Sequence, residues 1–178
     1  MSRSEIRIAG AGGQGIVTAG RILAEAAILS GYNATQTQVY GPQSRGGASR
    51  SDVVISAGEI GFPLADEIDI LVVLSSEAYT RYQPGLGEKG RLVVDSRCAP
   101  APHNGAVSEF PVVDTARAIS GGHLVTGVVA LGVLQTFAGV VDTEALFRAV
   151  AGRIPLRHRE MNLEALSAGL ELESGRAA

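Results

Sequence analysis

The stretch that decides the fold is residues 6–15, IRIAGAGGQG, where a short apolar run breaks into glycines. Residues 6–9 predict a buried strand, and the apolar spacing over residues 16–30 predicts a helix that leaves the turn directly. Gly10, Gly12 and Gly15 have the G-x-G-x-x-G spacing, which lets the backbone turn tightly and approach a ligand. Unpaired N–H groups of the first helical turn suit an anion at that point.

The glycine turn by itself does not identify a ligand. A nicotinamide or flavin domain usually carries an acidic residue about 20 positions further on, which holds the ribose hydroxyls. Residues 32–39, YNATQTQV, contain no acid, and the next acidic residue is Asp52. Three interpretations stay open: an NAD or NADP site, a different anionic or nucleotide-bearing ligand or a partner surface, and a turn that serves only strand-to-helix packing.

A second glycine-rich stretch, residues 40–50 (YGPQSRGGASR), holds Arg45 between two turn-forming pairs. In a doubly wound sheet such a loop would lie beside the first turn, at the carboxyl edge where ligands bind. Two glycine-rich turns and a guanidinium could cradle an anion or form a docking edge. The alternative is an exposed connection with no specific role.

The remaining chain alternates predicted strands and helices. Strands are expected at residues 33–39, 52–56, 69–74, 92–95 and 107–113, with a hairpin through 57–59 to residues 60–62 and a turn at 89–90. Helices are expected after a Ser75 or Ser76 cap, at 115–120 after an Asp114 cap, at 124–138, at 143–152 after an Asp142 cap, and at 156–173.

This order of elements predicts an α/β fold. We expect a three-layer, doubly wound sheet, mostly parallel but mixed, with the glycine-rich turn after its first strand. No linker divides the sequence, so residues 1–178 are expected to form a single domain with a helical C-terminal part at about 114–178.

The apolar stretch at residues 124–141, LVTGVVALGVLQTFAGVV, carries no charge and approaches the length of a membrane span. Gln135 lies within it, and no basic cluster flanks it, so a buried or subunit-interface helix is the better interpretation. Residues 1–5 lack the apolar core of a signal peptide. A cytoplasmic protein without a membrane segment is expected.

Composition excludes several functions. The net charge of −3 gives no basic field for nucleic acid. One cysteine, Cys98, can neither close an internal disulfide nor supply the four thiolates of an iron–sulfur cluster. His103 is close to Cys98 in sequence without an evident orienting acid, which argues against a Cys–His nucleophile. The three histidines share no spacing that predicts a metal site.

Four stretches together carry a family resemblance: GAGGQGIVTAGRILAEAA, VYGPQSRGGASRSDVVIS, DEIDILVVLS and GRLVVDS. They resemble the gamma subunit of 2-oxoacid:ferredoxin oxidoreductases, and most closely the gamma chain of the 2-oxoglutarate type. The resemblance covers nearly the whole chain. Its specificity lies in GxGGQG and YGPxxRGG occurring together in this order and spacing.

The resemblance implies a subunit with no catalytic residue and no metal site of its own, inactive when isolated. In the family, a 2-oxoacid is decarboxylated on thiamine diphosphate with magnesium, the acyl group passes to coenzyme A, and iron–sulfur clusters deliver electrons to ferredoxin. The implied partners are alpha and beta subunits, with a delta or ferredoxin-like subunit as a further candidate. The implied reaction makes succinyl-CoA. Indolepyruvate and branched-chain types share the scaffold and remain alternatives.

The resemblance in these two motifs also implies which residues of this sequence form the site. The cofactor-facing set implied by the resemblance is Gly10, Gly12, Gly13, Gln14, Gly15, Tyr40, Gly41, Pro42, Arg45, Gly46 and Gly47. Arg45 and the glycine turn are expected to face the active centre or coenzyme A, because a guanidinium and free N–H groups suit phosphates. Thiamine diphosphate, the iron–sulfur clusters and coenzyme A are not expected to be held firmly by this chain alone.

Two rival functions come from other classes. A self-sufficient nicotinamide-dependent enzyme predicts NAD binding by the isolated chain. A stand-alone nucleotide-binding, Rossmann-like sensor predicts a monomer with little exposed apolar surface.

Overall fold

The computed structural model describes residues 3–39, 47–98, 106–173 and 176–177, and a single β-sheet runs through these residues. Its seven strands have the order β2-β3-β1-β4-β5-β6-β7. Their bounds are β1 Arg3–Ala11, β2 Asn33–Val39, β3 Ala48–Ser56, β4 Ile68–Val73, β5 Leu86–Asp95, β6 Val107–Phe110 and β7 Arg176–Ala177. The fold is α/β, as predicted.

The sheet is mixed, as predicted, with a larger antiparallel share than the sequence indicated. Strands β1, β4, β5 and β6 run parallel to one another, while β3 runs antiparallel to both β1 and β2, and β7 runs antiparallel to β6. The predicted hairpin from β3 to residues 60–62 is wrong, because no strand forms there. Both edges of β3 are already paired, one with β1 and one with β2, so a further strand has no edge to join.

Six α-helices are interspersed with the strands in the described part of the chain. They are α1 Ile16–Leu29, α2 Ser76–Tyr82, α3 Val112–Ser120, α4 Thr126–Ala138, α5 Thr143–Arg153 and α6 Leu156–Glu171. The predicted caps at Ser75 and Asp142 are confirmed: Ser75 Oγ accepts a hydrogen bond from the Ala78 N–H, and Asp142 Oδ1 accepts one from the Glu144 N–H.

Two local predictions are wrong. Strand β6 ends at Phe110, because Pro111 cannot donate to a strand ladder, and α3 begins at once, with Asp114 inside its first turn rather than at its cap. Residues 89–90 lie within β5 rather than in a turn before it, where the register to β4 shifts between Ile68 and Ile70. Because β5 has more residues than β4 between these two pairs, the register shifts there, and β5 continues as a strand through residues 89–90.

The helices cover the two faces of the sheet unequally. Five helices, α1 and α3 to α6, share one large core with the apolar side chains of one sheet face. Ile6 and Val53 of the sheet and Leu131 of α4 belong to this core. On the opposite face α2 packs Tyr79 and Tyr82 over Leu71 and its neighbours. The three predicted layers are therefore present, with one layer much thicker than the other.

Helix α4 is the centre of the thick layer. Nine successive residues, 126–134, are buried. The helix crosses α6 so closely that a Cβ on Gly132 would lie 2.5 Å from the Leu166 carbonyl oxygen. The prediction of a buried helix is confirmed, and within the residues described no helix is long and apolar enough to span a bilayer.

Candidate functional site

The glycine turn joins β1 to α1 through two left-handed residues. Gly13 has φ 90° and Gly15 has φ 74°, a region that side chains disfavour. Gly15 is the N-cap of α1, and no side chain caps this helix. The predicted strand, turn and helix are thus confirmed, and glycine is required at both positions.

Gln14 fixes the shape of this turn from inside. Its side chain is buried, where Oε1 accepts a hydrogen bond from the Ala11 N–H at 2.7 Å and Nε2 donates one to the Leu74 carbonyl at 3.0 Å. A Cβ on Gly10 would lie 2.3 Å from Gln14 Oε1, so Gly10 makes room for the amide. The Gln14 side chain therefore braces the turn against the end of β4 and does not point outward.

The outer side of the turn offers hydrogen-bond donors. Gly12 and Gly13 are exposed, and α1 carries no acidic residue in its first turn. Among the described residues, no acceptor is bonded to the N–H groups of Gly12, Gly13, Gly15 or Ile16. Free N–H groups at the positive end of a 14-residue helix form a suitable cradle for an anion.

Most of the second predicted motif falls on residues the structure leaves undescribed. Tyr40, Gly41, Pro42, Arg45 and Gly46 all lie outside the described ranges. The backbone on either side is informative, because Val39 pairs with Arg50 and Ala48 pairs with Ala11 at the end of β1. Gly47 is buried next to this pairing. Both ends of the segment therefore meet the sheet edge from which the glycine turn leaves.

An apolar cleft of about 190 Å³ adjoins the first turn of α1. Gly15 and Thr18 form one wall, and the segments before and within α4 and α6 supply Leu124, Val128, Ile154, Pro155, His158, Met161 and Asn162. Leu124 is 71% exposed at its rim. Sequence reasoning missed this cleft because its walls come from residues about 140 positions apart. An anionic group on the turn and a short apolar group in the cleft could belong to one ligand.

Asp52, the first acidic residue after β2, already has partners of its own. It lies on β3, and its side chain is 5% exposed. Its carboxylate accepts hydrogen bonds from Nε and Nη2 of Arg7, at 2.7 and 2.9 Å. Arg50 Nε is 3.5 Å from the same carboxylate. A carboxylate engaged by two guanidiniums on the α2 face is not positioned to hold a ribose.

Cys98 lies in a buried corner at the carboxyl end of β5. Burial, with the nearby Asp95 carboxylate, raises the pKa of the Cys98 thiol to about 11, and a hydrogen bond with Ser76 opposes this only in part. Burial likewise raises the pKa of Asp95, although its carboxylate accepts hydrogen bonds from the Val113 and Arg97 N–H groups. A neutral thiol is a poor nucleophile, and His103 lies outside the described residues.

Native Cys98 is expected to react with iodoacetamide more than ~100-fold more slowly than the same residue in urea. At pH 8 a thiol with a pKa of about 11 is about one-thousandth thiolate, against roughly a quarter for a free cysteine. The native rate should rise about tenfold per pH unit between pH 8 and 10. Equal rates in native and unfolded protein, followed by mass spectrometry, would contradict the buried neutral thiol.

Possible metal ligands are dispersed in the described part of the chain. No group of three or more His, Cys, Asp or Glu side chains is placed there to hold an ion. Together with the single cysteine of the whole sequence, this donor set does not fit an iron–sulfur cluster.

Comparison with known proteins places this geometry among oxidoreductases. The family model for pyruvate ferredoxin/flavodoxin oxidoreductase matches residues 5–172. The 2-oxoglutarate synthase subunit KorC of Methanothermobacter marburgensis is 41% identical, over 96% of this chain and 96% of that subunit. The ketoisovalerate oxidoreductase subunit VorA of Methanothermobacter thermautotrophicus is 33% identical over 93% of this chain, but the match covers 35% of that longer subunit.

A solved structure has the same fold, and its sequence identity to this chain is similar to that of KorC. The gamma subunit of a keto/oxoacid ferredoxin oxidoreductase from Geobacter sulfurreducens is 42% identical, with a TM-score of 0.85 over 96% of both chains. The agreement extends across the sheet and its helices, since almost no part of either chain is left over.

Proposed function

This chain belongs to the pyruvate ferredoxin/flavodoxin oxidoreductase family, and from that premise we propose that it is the gamma subunit of a 2-oxoglutarate:ferredoxin oxidoreductase. The observation that carries the proposal is the full-length similarity to KorC, which exceeds the similarity to VorA. The same comparison favours 2-oxoglutarate over a branched-chain 2-oxoacid as substrate of the complex.

The proposed reaction of the complex is oxidative decarboxylation. 2-Oxoglutarate and coenzyme A yield succinyl-CoA and CO2, and the two electrons released reduce ferredoxin. Thiamine diphosphate with magnesium and the iron–sulfur clusters would supply the carbon and electron chemistry from other subunits. This chain lacks a donor set for a cluster, and no step of that chemistry is assigned to its residues.

The role proposed for this chain is to bind the phosphates of coenzyme A. Support comes from the free N–H groups of the glycine turn and from the adjoining apolar cleft. Arg45, between the two ends of a segment that meet the same sheet edge, would add a guanidinium for a phosphate. Its position in the sequence motif supports this assignment.

The proposed partners are the alpha and beta subunits of the complex, with ferredoxin as its electron acceptor. VorA supports contact with the larger subunits, because there the matching domain is part of a longer chain. Several large apolar side chains are exposed, including Leu124 at 71% and Phe62 at 56%, which suits a subunit better than a stand-alone sensor. A nicotinamide enzyme is disfavoured by the Arg7–Asp52 pairing.

The proposal is tested by purifying a tagged copy from its native host. Larger chains carrying thiamine diphosphate and iron–sulfur absorbance should accompany it, and the preparation should reduce ferredoxin when given 2-oxoglutarate and coenzyme A. Rebuilding the complex without this chain should abolish that activity. A complex that turns over normally without the chain would overturn the subunit assignment, and a preference for another 2-oxoacid would overturn the substrate.

Thr18→Glu is expected to raise the KM for coenzyme A about tenfold in the assembled complex, equivalent to about 1.4 kcal/mol. Thr18 is exposed in the first turn of α1 and lines the cleft. A carboxylate there repels phosphate, yet it interacts favourably with the helix dipole, so stability should not fall.

Thr18→Gln is the matched control, because it adds similar volume without charge and should leave the KM near the wild-type value. Arg45→Ala should raise the KM for coenzyme A while the KM for 2-oxoglutarate stays unchanged. Equal KM values for coenzyme A in the Glu and Gln variants would place the phosphates away from this turn.

A further inference from the structure

One side of α6 is only partly covered by the rest of the described chain. Six residues spaced as one helix face line a shallow groove of about 600 Å³: Leu156, Arg159, Glu160, Leu163, Glu164 and Ser167. Leu156 is 78% exposed, the highest value among the large apolar side chains that the structure describes. An exposed leucine beside a groove with a polar rim is typical of a protein contact surface.

The charges of this helix run against the helix dipole. Its first turn carries Arg157 and Arg159 and no acid, while Glu160, Glu164 and Glu171 follow from the second turn onward and its last turn carries no base. The helix dipole favours the opposite arrangement. Among the described residues Arg159 makes no hydrogen bond or ion pair, and its Nε is buried without a partner. The charge pattern therefore suits an outside partner with the reverse order of charges.

We propose that this face of α6 pairs with the same face of a second copy of the chain in antiparallel orientation. A second copy turned end to end presents acids to the basic end and bases to the acidic end. Leu156, Leu163 and Leu170 recur every seven residues, the spacing of a helix-pairing seam. Leu156 is exposed, while Leu163 and Leu170 are half-buried against the core and leave part of each side chain for a second helix.

A two-fold axis at Leu163 satisfies both the apolar and the charged residues. It places Leu163 against its own copy and Leu156 next to Leu170 of the second copy. It also brings Arg159 within about one helical turn, ~5.4 Å along the axis, of Glu164 of the second copy. Each dimer would then contain two such charge pairs and three leucine layers.

The size of the surface indicates a weak dimer. Helix α6 has 16 residues, so the contact is about 24 Å long. One helix pair of this length buries less than the ~1,200 Å² of a stable interface. A dissociation constant of about 100 μM is expected. The proposal concerns this chain alone and does not depend on the proposed oxidoreductase function.

Sedimentation equilibrium of the full chain tests the proposal between about 10 μM and about 1 mM. The apparent mass should rise from 18.3 kDa towards twice that value. Leu156→Glu should keep the chain monomeric throughout, whereas Leu64→Glu, at a leucine 49% exposed on a different surface, should not. A wild-type mass that stays at 18.3 kDa up to the highest concentration would overturn the proposal.

A charge exchange identifies the antiparallel arrangement. Arg159→Glu should weaken the dimer at least tenfold, because it places like charges opposite each other twice. Adding Glu164→Arg to it should restore the dimer. A dimer insensitive to Leu156→Glu or to the single charge change would show that another face is used and overturn the proposal. A monomeric chain whose Leu156→Glu variant loses larger subunits on purification would also overturn it.

Discussion

Gly169→Ala is expected to lower the free energy of unfolding by about 3 kcal/mol or more, because the added methyl group overpacks the contact between two helices. A Cβ on Gly169 would lie 2.2 Å from the Val129 carbonyl oxygen and 3.1 Å from the Gly132 Cα. These are backbone atoms of α4, so no side chain can move aside. The two helices must separate, and the core between them opens.

The measurement is urea unfolding followed by circular dichroism. In an unconstrained helix, Gly→Ala stabilises by up to about 1 kcal/mol, so the sign of the change is itself diagnostic. Gly122→Ala is the control, because a Cβ there meets no atom within 4 Å, and its effect should stay within about 0.5 kcal/mol. Equal stabilities of the two variants would mean that α4 and α6 do not touch through their backbones.

Asp52→Ala is expected to cost about 3–5 kcal/mol, because it leaves the Arg7 guanidinium buried without its counter-charge. The Arg7 side chain is 7% exposed, and its two contacts with Asp52, at 2.7 and 2.9 Å, are bidentate. Tyr82 packs with its ring centroid 5.8 Å from the same guanidinium.

Two further variants distinguish the cost of leaving the Arg7 charge buried and unpaired from the smaller cost of losing an ion pair. The double variant Arg7→Met with Asp52→Val should recover most of the stability, since a buried pair is replaced by apolar groups. Glu25→Ala removes the ion pair with Arg153, whose side chains are 34% and 40% exposed, and should cost at most about 1 kcal/mol. If Asp52→Ala cost no more than Glu25→Ala in the same unfolding experiment, Arg7 could not be buried as described.

The glycine turn could be predicted because it is local. Its donors come from a few successive residues, and glycine at positions 13 and 15 dictates the left-handed turn wherever the segment lies. The inward orientation of Gln14 was not predictable, since its amide bonds the Leu74 carbonyl, 60 residues away. Nothing in residues 10–15 indicates which side of the turn that carbonyl occupies.

The partner of each strand also depends on distant contacts. Alternating apolar residues predict that β3 is a strand, but not that it lies between β1 and β2. A local hairpin after Ser56 fits the sequence equally well. What decides against it is that both ladders of β3 are filled by strands that precede it in the chain.

The sequence by itself determined the α/β class, the glycine turn, the capped helices α2 and α5, and the burial of α4, because each follows from periodicity or from the backbone needs of neighbouring residues. The tertiary structure alone decided the order of the strands, the Arg7–Asp52 pair, the cleft beside Thr18 and the partly covered face of α6. Each of these joins residues far apart in the chain, and packing free energy summed over the whole core selects such contacts rather than any local preference.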